Sequence, residues 1–269
     1  DQGKYCIRKP IKRKIMELKV DNLSVKISKN RILMGTHAAS EAATCLKRLL
    51  EEQETANIIF AAAPSQNEFL DALSKTEGID WRRVNAFHMD EYIGLDKDAP
   101  QGFGNFLREH IFSQVPFRTV FYLNGQADNI QEACQEYTDL LLNYPADIVF
   151  MGIGENGHIA FNDPHVADFQ DPYLVKIVDL DEKCRQQQVN DGCFSSIAKV
   201  PTHALTLTIP ALYRAGYLFC MVPGKTKAWA VNETLTGAVS VRCPASILRN
   251  HPHATLYIDN DSSSIFMPK

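Results

Sequence analysis

The chain of 269 residues contains no apolar run of the roughly 18 residues that a helix needs to cross a bilayer. None of its seven cysteines (Cys6, Cys45, Cys134, Cys184, Cys193, Cys220 and Cys243) forms a Cys-x-x-Cys pair. Odd in number, scattered, and without a secretory apolar segment, they argue against a disulfide framework and for a reducing, cytoplasmic setting. Zinc spacing is absent as well, so no metal is expected, and each cysteine reads as a small buried hydrophobe. Neither sign of charge is in large excess: 28 Lys and Arg against 32 Asp and Glu give a net charge of −4 and a pI near 6.1. That balance offers no general attraction to nucleic acid or an anionic membrane. A low-complexity linker and internal repeats are also missing. The one positive cluster, Lys4–Lys19, reads as a solvated segment, which sets residues 1–20 apart from a single domain over 21–269.

What is present suits an α/β domain. With 45% hydrophobic and 22% charged residues the chain can bury a full core. Strand-like and helix-like segments alternate. Strands are predicted at Arg31–Met34, Asn57–Ala63, Val84–Met89, Asp147–Ile153, Leu174–Val178, Ala204–Ile209, Tyr217–Val222 and Thr255–Ile258. Helices are predicted at Ala38–Glu52, Asn67–Leu73, Phe103–Ile111, Ile130–Leu142 and Thr226–Leu235. Helical crossovers between near-continuous apolar strands imply a mostly parallel sheet with helices on both faces. Ligands then bind beyond the carboxyl ends of the strands.

Four strand ends carry suggestive residues. Asp147–Ile153 runs into Gly154, Gly157 and His158, with Asp163 placed to orient the imidazole. Asn57–Ala63 leads to Ser65 and Gln66 at a helix start, where free N–H groups favour an anion, although Ser65 can equally cap the helix. Val84–Met89 ends in the carboxylates Asp90 and Glu91, for which a solvated acidic turn is the alternative. Tyr217–Val222 opens into Lys225 and Lys227, an unfavourable place for cations unless a phosphate offsets the helix dipole; a solvated pair is the other reading. Gly152, Gly154 and Gly157 also spell the dinucleotide fingerprint Gly-x-Gly-x-x-Gly, with Asp179 near the spacing of a ribose-binding acid. Pro164 and Pro172 argue against the helix this fingerprint requires, so a nicotinamide-dependent oxidoreductase is disfavoured. An anion cradle, a carboxylate and a histidine suit proton transfer on a small phosphorylated sugar, with no cofactor. His37, His88, His203, His251 and His253 lack a comparable setting.

Phe87-His88-Met89-Asp90-Glu91-Tyr92-Ile93-Gly94-Leu95 and Gly152-Ile153-Gly154-Glu155-Asn156-Gly157-His158-Ile159-Ala160-Phe161-Asn162 resemble the two signature segments of the glucosamine-6-phosphate deaminase/isomerase family. Weaker similarity runs through Val200–Thr206 and Gly224–Ala228, so the resemblance covers roughly residues 30 to 260. It implies a three-layer Rossmann-like domain that converts glucosamine 6-phosphate and water to fructose 6-phosphate and ammonia. By position, Asp90 would move the proton between C2 and C1, and His158, oriented by Asp163, would open the pyranose ring. Lys227 would hold the phosphate with the Ser65-Gln66 loop, while Gly154, Gly157 and Glu91 would contribute to the substrate site.

The departures are local. Ala62-Ala63-Pro64-Ser65-Gln66 replaces a Thr/Gly-rich phosphate loop, and Asn156 stands where many members have an aspartate. Asp163 replaces a common glutamate, and Gly192-Cys193 precede Phe194 where the family often has an arginine, leaving Arg185 as the nearest substitute. The sister branch, which hydrolyses 6-phosphogluconolactone, typically continues after the histidine with Thr-Ala-Ser-Leu-Phe, unlike Ile159–Asp163 here. A non-catalytic sugar-phosphate sensor is a further alternative, but the residues before Arg31 are too few for a DNA-binding module. A homo-oligomer is compatible with the several helices.

Overall fold

The computed structural model describes residues 15–267. A hairpin of β1 (Met16–Val20) and β2 (Leu23–Ser28) opens the fold, turning through Asp21 at φ 52°. There follow α1 (Arg31–Glu52), β3 (Ala56–Phe60), α2 (Asn67–Ser74), β4 (Val84–His88), β5 (Asp90–Tyr92), α3 (Phe103–Leu107) and β6 (Thr119–Val120). The second half comprises α4 (Ile130–Asn143), β7 (Ile148–Met151), β8 (Val175–Asp179), α5 (Glu182–Asn190), β9 (His203–Leu207), α6 (Ile209–Tyr213), β10 (Tyr217–Val222), α7 (Ala228–Thr236) and β11 (Ala254–Asp259).

Eight strands form one sheet in the order β1-β2-β11-β10-β7-β3-β4-β6, parallel except for the β1–β2 hairpin. The all-apolar strand β7 shows why both faces need cover. Ile148 and Phe150 point into one core layer with α1, α2 and α3 residues, while Val149 and Met151 point into the other with α4 and α7 residues. β10, β7, β3 and β4 lie side by side in mid-sheet, and their carboxyl ends are the four strand ends singled out by sequence.

The differences from expectation have physical causes. Arg31–Met34 is the first turn of α1, because the Asn30 side chain accepts the Leu33 N–H at 3.0 Å and starts the helix there. Leu174–Val178 and Ala204–Ile209 are strands, β8 and β9, but they leave the main sheet and pair antiparallel in a separate sheet ordered β5-β9-β8. Met16–Val20, grouped by sequence with the basic segment, pairs with β2; residues 1–14 of that segment lie outside the described residues. The β2 alternation of buried Leu23, Val25 and Ile27 with Ser24 and Lys26 was a readable strand signal. Helix α5, EKCRQQQVN, lacks an apolar stripe and gave no such signal.

Helix α1 packs on α2 at Gly35, where an added Cβ would lie 2.8 Å from backbone atoms of Glu68 and Phe69. Gly35→Ala is therefore expected to destabilise by about 1–3 kcal/mol, overpacking outweighing the better helix propensity. Urea unfolding checks this, and an unchanged midpoint would mean that α2 yields freely.

Candidate active site

Met89 carries the chain from one sheet to the other. Its N–H donates to Phe60 O at 3.2 Å in the main sheet, and its carbonyl accepts from Leu207 N at 2.8 Å in the small one. Asp90 therefore begins β5 at the junction of the two sheets, opposite Thr206. Its carboxylate is buried and lacks a hydrogen-bond donor among the described residues, so burial, and then the Glu91 charge, push its pKa well above the ordinary value. His88, fully buried, fixes the backbone on either side: Nδ1–H donates to Asp90 O at 2.9 Å and Nε2 accepts from Leu123 N at 3.0 Å. Burial lowers the His88 pKa to about 4, which keeps this ring neutral and its two bonds intact near neutral pH.

The second component is the loop after β7. Gly154 N–H donates to His158 O at 2.9 Å, and an added Cβ on Gly154 would lie 2.0 Å from the His158 ring, so the imidazole rests on bare backbone. Asn156 Oδ1 accepts from His158 N at 3.1 Å and from Nδ1 at 2.6 Å, while Asn156 Nδ2 donates to Asp163 Oδ1 at 3.1 Å. The amide orientation is thereby set, and Nδ1 must carry the proton. Nε2 is left as the ring's acceptor. Asp163, also 3.1 Å from Nδ1, is fully buried. Burial raises its pKa, but the His158 hydrogen bond and charge, the Asn156 amide and the Asp181 N–H outweigh that and hold it below the ordinary range.

Lys227 closes a 3-10 turn, Lys225–Lys227, ahead of α7. Lys225 is exposed, whereas Lys227 is buried and its ammonium has no ion pair or hydrogen bond among the described residues. Burial lowers its pKa, with Asp191 and Glu155 acting in the other direction. Across from it, the 3-10 turn Pro64–Gln66 enters α2. Ser65 does not cap that helix; its hydroxyl accepts from Gln66 Nε2 at 3.2 Å, and Gln66 Oε1 is buried without a partner.

Ser65, Gln66, Asp90, Gly154, His158 and Lys227 all line one cavity of about 60 Å³. Five sequence candidates do not: Asn156 and Asp163 stand behind the His158 ring, and three others serve elsewhere. Glu91 turns away and accepts the N–H groups of Tyr92, Phe103 and Gly104 at 2.9, 3.0 and 2.9 Å, fastening the start of α3; burial raises its pKa, opposed by these bonds. Arg185 donates to Ile197 O and Val200 O at 2.8 and 3.0 Å, tying down the turn behind α5. Gly157, at φ 86°, packs against Cys243, where a Cβ would lie 2.6 Å from Sγ; its role is to shape the loop. Sequence reasoning missed Gln187 and Gln188 of α5, together with Phe103 and Phe161. Gln187 Oε1 accepts Glu155 N–H at 2.8 Å and so fastens α5 to the His158 loop. The fingerprint reading also fails here: the first helix after Gly157 is α5, and Asp179 pairs with His165 at 2.9 Å.

A model of the family described as glucosamine-6-phosphate isomerases/6-phosphogluconolactonase matches residues 30–257. The chain belongs to that family. A glucosamine-6-phosphate deaminase of Listeria monocytogenes serotype 4a (strain HCC23) is 34% identical over 209 residues, 78% of this chain and 87% of the relative. The solved structure of a monomeric glucosamine-6-phosphate deaminase superposes with a TM-score of 0.81 at 28% identity, covering 90% of this chain and 99% of that one. The 6-phosphogluconolactonase of Thermotoga maritima shares the fold at 21% identity, with a TM-score of 0.70 over 87% of this chain and 98% of that one. Within the family, this chain's buried, partnerless carboxylate has a measurable consequence. Below the ordinary Asp pKa of 3.8 the Asp90 carboxyl is neutral both folded and unfolded, whereas above its raised folded pKa the native state carries a desolvated charge. Asp90→Asn is thus expected to raise Tm at pH 7–8, about 2–4 °C per kcal/mol relieved for a domain of this size. Scanning calorimetry should show the gain shrinking as the pH falls towards 4; a lower Tm for Asp90→Asn at pH 7 would refute the unpaired charge.

Proposed function

We propose that this chain catalyses aldose–ketose isomerisation and deamination of an amino-sugar phosphate, converting glucosamine 6-phosphate and water to fructose 6-phosphate and ammonia. The observation that carries the reading is the convergence, in one cavity, of a buried carboxylate (Asp90), an imidazole with a free Nε2 (His158) and a buried cation without a partner (Lys227). The family's named deaminases support the same chemistry.

In this reading Lys227, with Ser65 and Gln66, holds the phosphate. His158 Nε2 takes the proton of the anomeric hydroxyl and returns it to the ring oxygen as the C1–O5 bond breaks, while Asn156 and Asp163 stabilise the imidazolium that forms in between. Asp90 then moves the proton from C2 to C1 while O1 gains the proton that the amine gives up, and the C2 imine so formed takes up water and releases ammonia to leave the ketose. Burial and the neighbouring Glu91 charge raise the Asp90 pKa, which makes the ionised carboxylate a stronger base. Gln187 and Gln188 of α5 complete the wall of the cavity, within reach of a bound sugar's hydroxyl groups. The steps require no cofactor. The free thiols of Cys45, Cys134, Cys184, Cys193, Cys220 and Cys243 fit a cytoplasmic location.

The test is ammonia release from glucosamine 6-phosphate, with galactosamine 6-phosphate and 6-phosphogluconolactone assayed alongside. Asp90→Asn is expected to lower kcat by about 10²- to 10⁴-fold with little change in KM. Lys227→Ala should raise KM by about 10- to 100-fold, the worth of a charged hydrogen bond. The acid limb of kcat/KM should lie above the ordinary carboxylate range, because Asp90 must be ionised and its pKa is raised. Lactone hydrolysis without ammonia would transfer the chain to the sister reaction, and silence with all three substrates would favour a sensor.

A further inference from the structure

The spacing of residues along the chain offers no zinc pattern, yet folding brings three ligand types from separate segments together. His158 and Asp163 come from the loop after β7, and Cys184 comes from the first turn of α5. A ring nitrogen, a carboxylate oxygen and the sulfur lie within 4.8 Å of one another, and all three residues are buried. A tetrahedral zinc ion needs such atoms about 3.3–3.6 Å apart, given bonds of ~2.0–2.3 Å. The His158 Nδ1 to Asp163 Oδ1 separation is already 3.1 Å. We infer that His158, Asp163 and Cys184 form an inhibitory site for a thiophilic divalent cation of the zinc and cadmium type.

The local charge favours it. The carboxylates of Asp163, Asp181 and Asp90 outnumber the one cation, Lys227, among the charges acting on Cys184. A divalent cation reverses this balance, since thiolate and carboxylate together supply two negative charges and the imidazole binds neutral. The thiol loses its proton to solvent. If Nδ1 is the ring ligand, its proton moves to Nε2, and that nitrogen can no longer accept one from substrate. Three protein ligands with a fourth position open is a recognised zinc arrangement, and a soft sulfur ligand excludes magnesium and calcium. Metal binding would also fasten α5 to the catalytic loop, where Asp163 Oδ2 already accepts Asp181 N–H at 3.3 Å and Gln187 holds Glu155. The same ion would therefore take the imidazole out of proton transfer and hold α5 against the loop that carries it.

The first measurement is titration of the purified chain with Cd²⁺ alone, read as the near-ultraviolet thiolate-to-metal absorbance, which needs no catalysis. One equivalent is expected to give the band in wild type and in Cys193→Ala, and not in Cys184→Ala or Cys184→Val. In the ammonia assay, Zn²⁺ should inhibit wild type, while the Cys184 variants should turn over normally and need at least about tenfold more Zn²⁺ for half-inhibition. Mg²⁺ should do neither. Should the Cys184 variants misfold, Asp163→Asn serves in the Cd²⁺ titration, with affinity expected to fall at least about tenfold. A wild-type chain with no band, or a band unchanged in these variants, overturns the site. A band with no catalytic activity on any sugar phosphate retains the metal site and rejects only the proposed reaction.

Discussion

The arrangement rests on β9. Asp90 pairs opposite Thr206, and Leu207 N–H donates to the Met89 carbonyl just before it. The histidine loop hangs from the same two residues: Phe161 N–H donates to Thr206 Oγ1 at 3.1 Å, and Asn162 Nδ2 to Leu207 O at 2.9 Å. Asp90 and His158 are 68 positions apart by their numbers, yet both are registered against one short strand. The small sheet is therefore the gauge that sets their separation, while the large sheet supplies the direction from which each arrives. Ala160, at φ 51°, shows that the loop accepts backbone strain to make these contacts.

Electrostatically, the cavity is assembled from groups that disfavour burial. Asp90 is pushed up and Lys227 is pushed down, in both cases mainly by desolvation, and neither finds a partner among the described residues. A core built only for stability would pair or exclude them. Leaving a carboxylate and an ammonium unpaired in one cavity keeps a base and a cation available to something that is not protein. His158 is treated differently. Its orientation is over-determined by Asn156, Asp163 and the bare backbone of Gly154, because only a fixed tautomer leaves Nε2 ready.

Strands were legible wherever both faces are buried. β3, β4, β7 and β10 read as apolar runs followed by small or polar residues, so the four strand ends, and with them Ser65, Asp90, His158 and Lys227, could be found without coordinates. The sheet to which a strand belongs could not. β8 and β9 read as strands like those of the main sheet, yet they form an antiparallel sheet with β5, which the turn of the chain at Met89 carries out of the main sheet. Side-chain direction was equally hidden: Glu91 follows Asp90, and the period-2 pleat that turns Asp90 into the cavity turns Glu91 onto the backbone of α3. Helix α5 escaped notice because a helix that covers a polar cavity carries glutamines where a core helix carries leucines.

The residues that depart from the family pattern make sense together. Asp163 is one methylene shorter than the common glutamate, and Asn156 has lost a carboxylate. The two side chains nevertheless bond each other, and both reach Nδ1 of His158. An aspartate at 156 would set two carboxylates against one ring nitrogen in a buried site, raising one or both of their pKa values. The amide removes that repulsion and contributes a donor, which lets the shorter carboxylate remain ionised beside the ring. The pair thus fixes the orientation of the imidazole with a single negative charge.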